Sequence, residues 1–150
     1  QRLIARNLRS VIDLEILGEK TFLIDCDVVQ ADAGTRTAAI TGAWVALKQA
    51  SKKLQMQGVL DKDPIIDQVA AVSVGLLQGR PLLDLDYRED SQAEVDLNIA
   101  MDSQNQLLEI QGASEKAAFS RLQLEQCLDL AELGIKKLHE FQLSALDIET

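Results

Sequence analysis

The sequence predicts an α+β fold, and three observations carry that prediction. Helical periodicity and strand-like alternation fall in separate blocks, in the order helix, strand, helix, two hairpins, helix. Turn signals such as Asp63-Pro64 and Gln78-Gly79-Arg80-Pro81 punctuate the chain between blocks. At 150 residues, 47% of them apolar, the chain can bury one sizeable core, so residues 1–150 are expected to form one domain.

The elements follow in order. Leu3, Ile4, Leu8, Val11 and Ile12 recur near helical spacing, which predicts a helix over 2–17 stopped by Gly18. Arg2, Arg6 and Arg9 form a stripe on its other face, suited either to water or to a nucleic-acid backbone. Residues 20–29, rich in Thr, Phe, Leu, Ile and Val, predict a strand. A helix is expected from Gly34 to about Gln57, closed by Gly58. Its small residues Ala38, Ala39, Gly42, Ala43 and Ala46 would let it lie close to a neighbour. Lys48, Lys52 and Lys53 suit the negative end of its dipole.

Asp63-Pro64 predicts a turn or a single helical turn. Residues 69–77 form a mostly apolar strand. Residues 78–81 turn it, and 82–85 return as a second arm. Residues 98–100 and 107–111 make another hairpin about a turn at 102–105. Ser120 with Gln123 reads as a capping box, and Phe119 with Leu124 as a hydrophobic staple, for a helix running to about Leu146. Residues 147–150 are expected to fray.

Composition narrows the chemistry. A net charge of −9, from 24 acids and 15 bases, does not advertise a nucleic-acid binder, although a local basic patch can sit on an acidic protein. One Trp, one Tyr and three Phe make no visible stacking platform for bases. Cys26 and Cys127 lie far apart on apolar patterns and read as buried free thiols. His139, the one histidine, is placed at the surface of the last helix, which argues against a His-centred triad or metal cluster. Neither a GxxxxGK[ST] loop nor a GxGxxG after a strand is present. No signal peptide or membrane span is read, so a cytoplasmic location without membrane contact is expected. The chain opens at Gln1, directly into a helix, and is read as a piece of something longer.

Two stretches could carry chemistry. Gly34-Thr35-Arg36 joins the predicted strand to the predicted helix. A helix start offers unpaired amides, Gly34 lets the backbone approach closely, and Arg36 can fork onto two oxygens. An oxyanion, phosphate above all, fits there; so does a plain helix start with a solvated arginine. The second stretch holds Asp84, Asp86, Glu89, Asp90, Glu94 and Asp96, six carboxylates within thirteen residues. Repulsion makes such density costly unless it is solvated, paired or bound to a cation, and Mg²⁺ prefers carboxylates. By strand alternation Asp84 would share a face with Asp86, and Glu94 with Asp96, with Asp90 in a connecting loop. A solvated hairpin rim explains the same residues.

The segments Gln1–Arg9, Ile24–Asp32, Gly34–Ala43, Val69–Gly75, Leu83–Tyr87, Glu89–Ser91, Ala93–Asn98 and Gln111–Gly112 together resemble bacterial ribonuclease PH, in order along essentially the whole chain. The resemblance implies a ribosomal protein S5 domain 2-like sheet packed against helices. It implies removal of nucleotides from RNA 3′ ends, notably of tRNA precursors, with inorganic phosphate as co-substrate and nucleoside diphosphates released. It also implies a homo-oligomer, a hexameric ring of dimers. Gly34, Thr35 and Arg36 match the family's phosphate-binding turn, and Asp90 and Asp96 its catalytic, Mg²⁺-associated aspartates.

Three departures are visible. Ala33 stands where the family usually has glycine, and Lys116 and Ala118 replace a glycine and a proline. The family also has about ninety residues before the position of Gln1, including a further phosphate-binding arginine, so the fold is expected to be incomplete on its amino-terminal side. Two other readings remain at this point: a non-catalytic ring subunit or RNA-binding scaffold, and a free-standing acidic interaction domain.

Overall fold

The computed structural model describes residues 2–147. Helix α1 spans Arg2–Ser10 and α2 spans Leu14–Leu17. The single helix expected over 2–17 is therefore broken. At Val11–Asp13 the backbone instead runs beside Pro64–Ile66: the Asp13 amide donates to the Pro64 carbonyl at 2.7 Å, and the Ile66 amide to the Val11 carbonyl at 3.0 Å. Two β-branched residues, Val11 and Ile12, favour that extended course. Asp13 then caps α2, and Gly18 ends it as expected.

Residues 20–29 do not form a strand. A strand exists through a ladder partner, and none lies beside this stretch among the described residues. It lies on the outside without regular structure, with Leu23 and Val29 94% and 96% exposed. Cys26, expected to be buried, is exposed with it, whereas Cys127 is buried.

Helix α3 (Thr35–Met56) is as long as expected. Strands β1 (Val69–Leu77), β2 (Arg80–Leu83), β3 (Val95–Asp102) and β4 (Leu107–Ser114) make one antiparallel sheet in the order β2-β1-β3-β4. The first hairpin is tighter than predicted. Its loop is Gln78–Gly79, both at positive φ, with Leu77 paired to Arg80. Pro81 is tolerated because β2 is an edge strand. Helix α4 (Tyr87–Gln92) occupies the stretch expected as a loop, and α5 (Arg121–Asp147) closes the described chain. The capping box at the start of α5 is present, Ser120 and Gln123 each bonding the other's amide. Of the tail expected to fray, 148–150 lie outside the described residues.

The pleat of the sheet sorts the core into two layers. Ala70, Val72, Val74 and Leu76 of β1 pack with Val95, Leu97 and Ile99 of β3 against Cys127, Ala131 and Ile135 of α5. The opposite face, with Val69, Ala71 and Ala100, packs on Ile40, Ala43, Trp44 and Leu47 of α3 and on Leu8 of α1. At full burial each Val, Leu or Ile among them contributes about 1.5–3 kcal/mol, and each Ala less.

Beyond the end of β2 the edge of β1 would be left unpaired, and side chains from both helices complete it. The Thr41 hydroxyl accepts from the Ala71 amide at 3.0 Å. Gln142, buried on α5, donates to the carbonyls of Val69 and Thr41 at 2.9 and 3.0 Å. His139, expected at the surface, is buried one turn earlier, at 7% exposure. The small residues of α3 are only partly used for close packing. Ala43 is buried, while Ala38, Gly42 and Ala46 line an open cavity of about 510 Å³ against residues 24–30. No helix among the described residues is long and apolar enough to cross a membrane.

Candidate functional site

The turn before α3 is built on β1. Gly34 caps the helix in the left-handed region, at φ 64° and ψ 20°, and no side chain bonds the first amides of α3 in return. Its carbonyl accepts from the Thr37 hydroxyl at 2.8 Å and the Ala38 amide at 3.0 Å. The helix thus begins with donors pointing outward and the dipole's positive end uncovered, the arrangement that receives an anion. Ser73 lies directly beneath. Its hydroxyl is buried, has no hydrogen-bond partner, and sits 3.3 Å from where a Cβ on Gly34 would be. Ala33 has no positive φ, so alanine costs the turn nothing there.

The acidic stretch is arranged differently from the alternating strand that spacing suggests. Asp84 sits past the end of β2 at φ 56°, and Asp86 caps α4, accepting from the Glu89 amide at 2.9 Å. Glu89 returns a bond to the Asp86 amide at 3.1 Å, which completes a capping box. That Asp-x-x-Glu spacing is a signal of a helix start legible in the sequence, where a loop is expected instead. Glu94 stands outside β3, and its carboxylate accepts from the Gly79 amide at 3.0 Å, so it serves the first hairpin. Asp86, Glu89 and Glu94 are thus engaged in local bonds, whereas Asp84 stands at the turn before α3, its Oδ1 4.0 Å from where a Cβ on Gly34 would be.

Asp90 on α4 and Asp96 on β3 do come together. Asp96 pairs across the sheet with Gly75, and Leu85 fills the place that a Gly75 side chain would take. A Cβ on Gly75 would fall 2.5 Å from Cδ1 of Leu85 and 2.7 Å from the Val95 carbonyl. The half-buried Asp96 carboxyl holds its proton more tightly than an ordinary one. Burial is the largest cause and Asp90 the next; Arg36 pulls the other way, and Glu115 adds to the rise. Arg36 of α3, Asp90 of α4 and Glu115 thus all lie within electrostatic reach of Asp96 on β3. Arg36 is exposed and forms no ion pair among the described residues.

Glu115 escaped the reading of the sequence. It follows β4, and its amide donates to the Glu94 carbonyl at 2.9 Å. Only the hairpin register, with Val95 opposite Ser114, brings it beside Asp96.

No three His, Cys, Asp or Glu side chains converge as a metal-ligand set among the described residues. A pair of carboxylates suits Mg²⁺ nevertheless, because that ion takes one or two from protein and fills its shell with water and substrate phosphate. A cation would also relieve the repulsion between Asp90 and Asp96.

The chain has recognisable relatives among known proteins. Residues 1–53 match the model of the 3′ exoribonuclease family, domain 1, and residues 67–133 match that family's domain 2. The ribonuclease PH of Synechococcus sp. (strain CC9605) is 64% identical over 145 residues, covering 97% of this chain and 59% of the relative. That of Syntrophomonas wolfei is 53% identical over 148 residues, covering 99% and 62%. The chain thus spans about 60% of the length of the curated relatives it matches. In three dimensions it resembles the archaeal exosome core, with a TM-score of 0.69 at 19% identity over 94% of this chain and 61% of the other. It likewise resembles the Archaeoglobus fulgidus exosome with RNA bound to the active site, at 0.68 and 16%, over 93% of this chain and 58% of the other.

Proposed function

The chain belongs to the 3′ exoribonuclease family, and we propose that it carries the phosphate-holding turn and the acidic pair of a phosphorolytic 3′-to-5′ exoribonuclease acting on RNA, tRNA precursors above all. The observation that supports this reading is the uncapped start of α3 at Gly34, set over the buried, unpartnered Ser73 hydroxyl, with Arg36 of that same helix start and Asp90 both within electrostatic reach of Asp96. An interaction domain or scaffold has no use for that combination.

In this reading Gly34, Thr35 and Arg36 hold inorganic phosphate. One of its oxygens attacks the phosphorus of the terminal phosphodiester, the bond to the preceding 3′ oxygen breaks, and that oxygen takes up the proton that the incoming hydrogen phosphate gives up. The products are a nucleoside diphosphate and an RNA shorter by one residue with a free 3′ hydroxyl. Amides and a guanidinium fixed in advance beside the phosphate lower the barrier without reorganising during the reaction. Asp90 and Asp96 would hold Mg²⁺, which would draw charge from the scissile phosphate. Arg2 and Arg9, exposed on α1, would follow the RNA backbone. Residues 1–150 act as one domain, since α3 and α5 pack on opposite faces of one sheet. The reading carries with it a cytoplasmic location and assembly into a hexameric ring of dimers.

The test is phosphate dependence. The chain is joined to the amino-terminal portion of a relative and given a tRNA with extra 3′ nucleotides. Shortening only when phosphate is supplied supports the proposal; equal trimming in phosphate-free buffer refutes it.

A further inference from the structure

Helix α4 carries Asp90 but buries none of its own side chains. A six-residue helix without a packed face has little stability of its own, so the buried residues on either side of it, Leu85 and Ala93, and the bonds at its ends decide where Asp90 stands. One lies within the segment, the capping box of Asp86 and Glu89. A second comes from the loop before the last helix, where Lys116 donates from Nζ to the Ser91 carbonyl at 2.9 Å. The third comes from the turn that faces phosphate. Oδ1 of Asp32 accepts from the Tyr87 amide at 2.8 Å, across fifty-five residues of sequence. Asp32 is two residues from Gly34, and Tyr87 is the first residue of α4. The carboxylate therefore meets a free amide at the positive end of the short helix, a favourable charge-assisted bond.

We propose that Asp32 is a positioning residue that couples the phosphate turn to α4, so that an anion held at Gly34–Arg36 steadies the helix that presents Asp90. The proposal rests on the phosphate reading above. Freezing the turn removes motion that Asp32 would otherwise pass to Tyr87. Without the bond, the turn can be occupied while α4 still moves. Asn at position 32 keeps the accepting oxygen and loses the charge, whereas Ala loses both.

Amide hydrogen exchange on the 150-residue chain reads this directly, with inorganic phosphate as the probe. Without phosphate, Asp32→Ala should speed exchange in the first turn of α4 about fivefold, and Asp32→Asn should restore most of the protection. With phosphate, the unmutated chain should gain protection at Gly34–Arg36 and in α4 together, and Asp32→Ala should gain it at the turn alone. Unchanged α4 exchange in Asp32→Ala overturns the tie. Equal phosphate protection of α4 in both proteins overturns the coupling. A lack of protection at Gly34–Arg36 in the unmutated chain contradicts the phosphate reading and with it the coupling, while the phosphate-free rates still decide whether Asp32 holds α4.

Discussion

The hydroxyl of Ser73 lies 3.3 Å from the point where a side chain on Gly34 would begin, so the turn and the strand beneath it touch through the absence of a methyl group. Gly34 also needs its φ of 64°, a region that costs an L-residue roughly 1 kcal/mol or more. We predict that Gly34→Ala destabilises the chain by about 1–2 kcal/mol and weakens phosphate binding about tenfold, because the turn must lift from β1. Thermal melts and phosphate titration check the two halves separately.

Arg36 separates binding from folding. Its side chain is exposed and anchors no packing, so Arg36→Ala should change stability by less than about 0.5 kcal/mol. It should weaken phosphate at least about tenfold, the worth of a charged hydrogen bond, with Arg36→Lys recovering only part because an ammonium cannot fork. In the joined enzyme, Asp90→Asn should lower turnover and leave RNA binding largely intact. Unchanged phosphate affinity in Arg36→Ala, or unchanged turnover in Asp90→Asn, would contradict the assignment of that residue.

Gly75 tests how Asp96 is placed. A methyl there meets Leu85 and the Val95 carbonyl well inside contact distance, so Gly75→Ala should cost about 1–3 kcal/mol through overpacking. Since Gly75 pairs with Asp96, the same change should disturb the site. Calorimetric melting would detect the loss, and a Tm equal to that of the unmutated chain would contradict the close packing described here.

Much of this was legible in the sequence where the cause is local. The apolar run over 69–77, the Ser120–Gln123 capping box and the long helix after Gly34 depend on neighbouring residues, and each forms as read. What depended on partners was not legible. Residues 20–29 have strand-forming side chains but no ladder beside them. Val11–Asp13 leaves the helix because Pro64–Ile66 offers hydrogen bonds from far along the chain. His139 was misplaced because the sequence does not show which face of α5 meets the base of the sheet. Arg36, Asp90 and Asp96 stand out in the sequence by residue type, while Glu115 nears Asp96 through hairpin register and Asp32 meets Tyr87 through a long-range bond that no spacing announces.

His139 gives the fold a pH dependence of known sign. Burial lowers its pKa below the ordinary 6.5, against the opposing influence of Asp67, Asp102 and the Met101 carbonyl. The unfolded chain therefore binds a proton more readily, and stability should rise with pH through the window just below 6.5 and level off above it. Replacing the ring with an apolar side chain, His139→Met, should flatten that rise. Denaturant unfolding at pH 5.5 and 7.5 checks it, and parallel losses in both proteins would assign the effect elsewhere.

The central claim is that phosphate held at Gly34–Arg36 is the attacking group. Isotopically labelled inorganic phosphate, supplied with RNA to the chain joined to a relative's amino-terminal portion, tests that most directly. The account predicts label in the terminal phosphate of released nucleoside diphosphates, and its loss in Arg36→Ala. RNA shortened to unlabelled nucleoside monophosphates would contradict it.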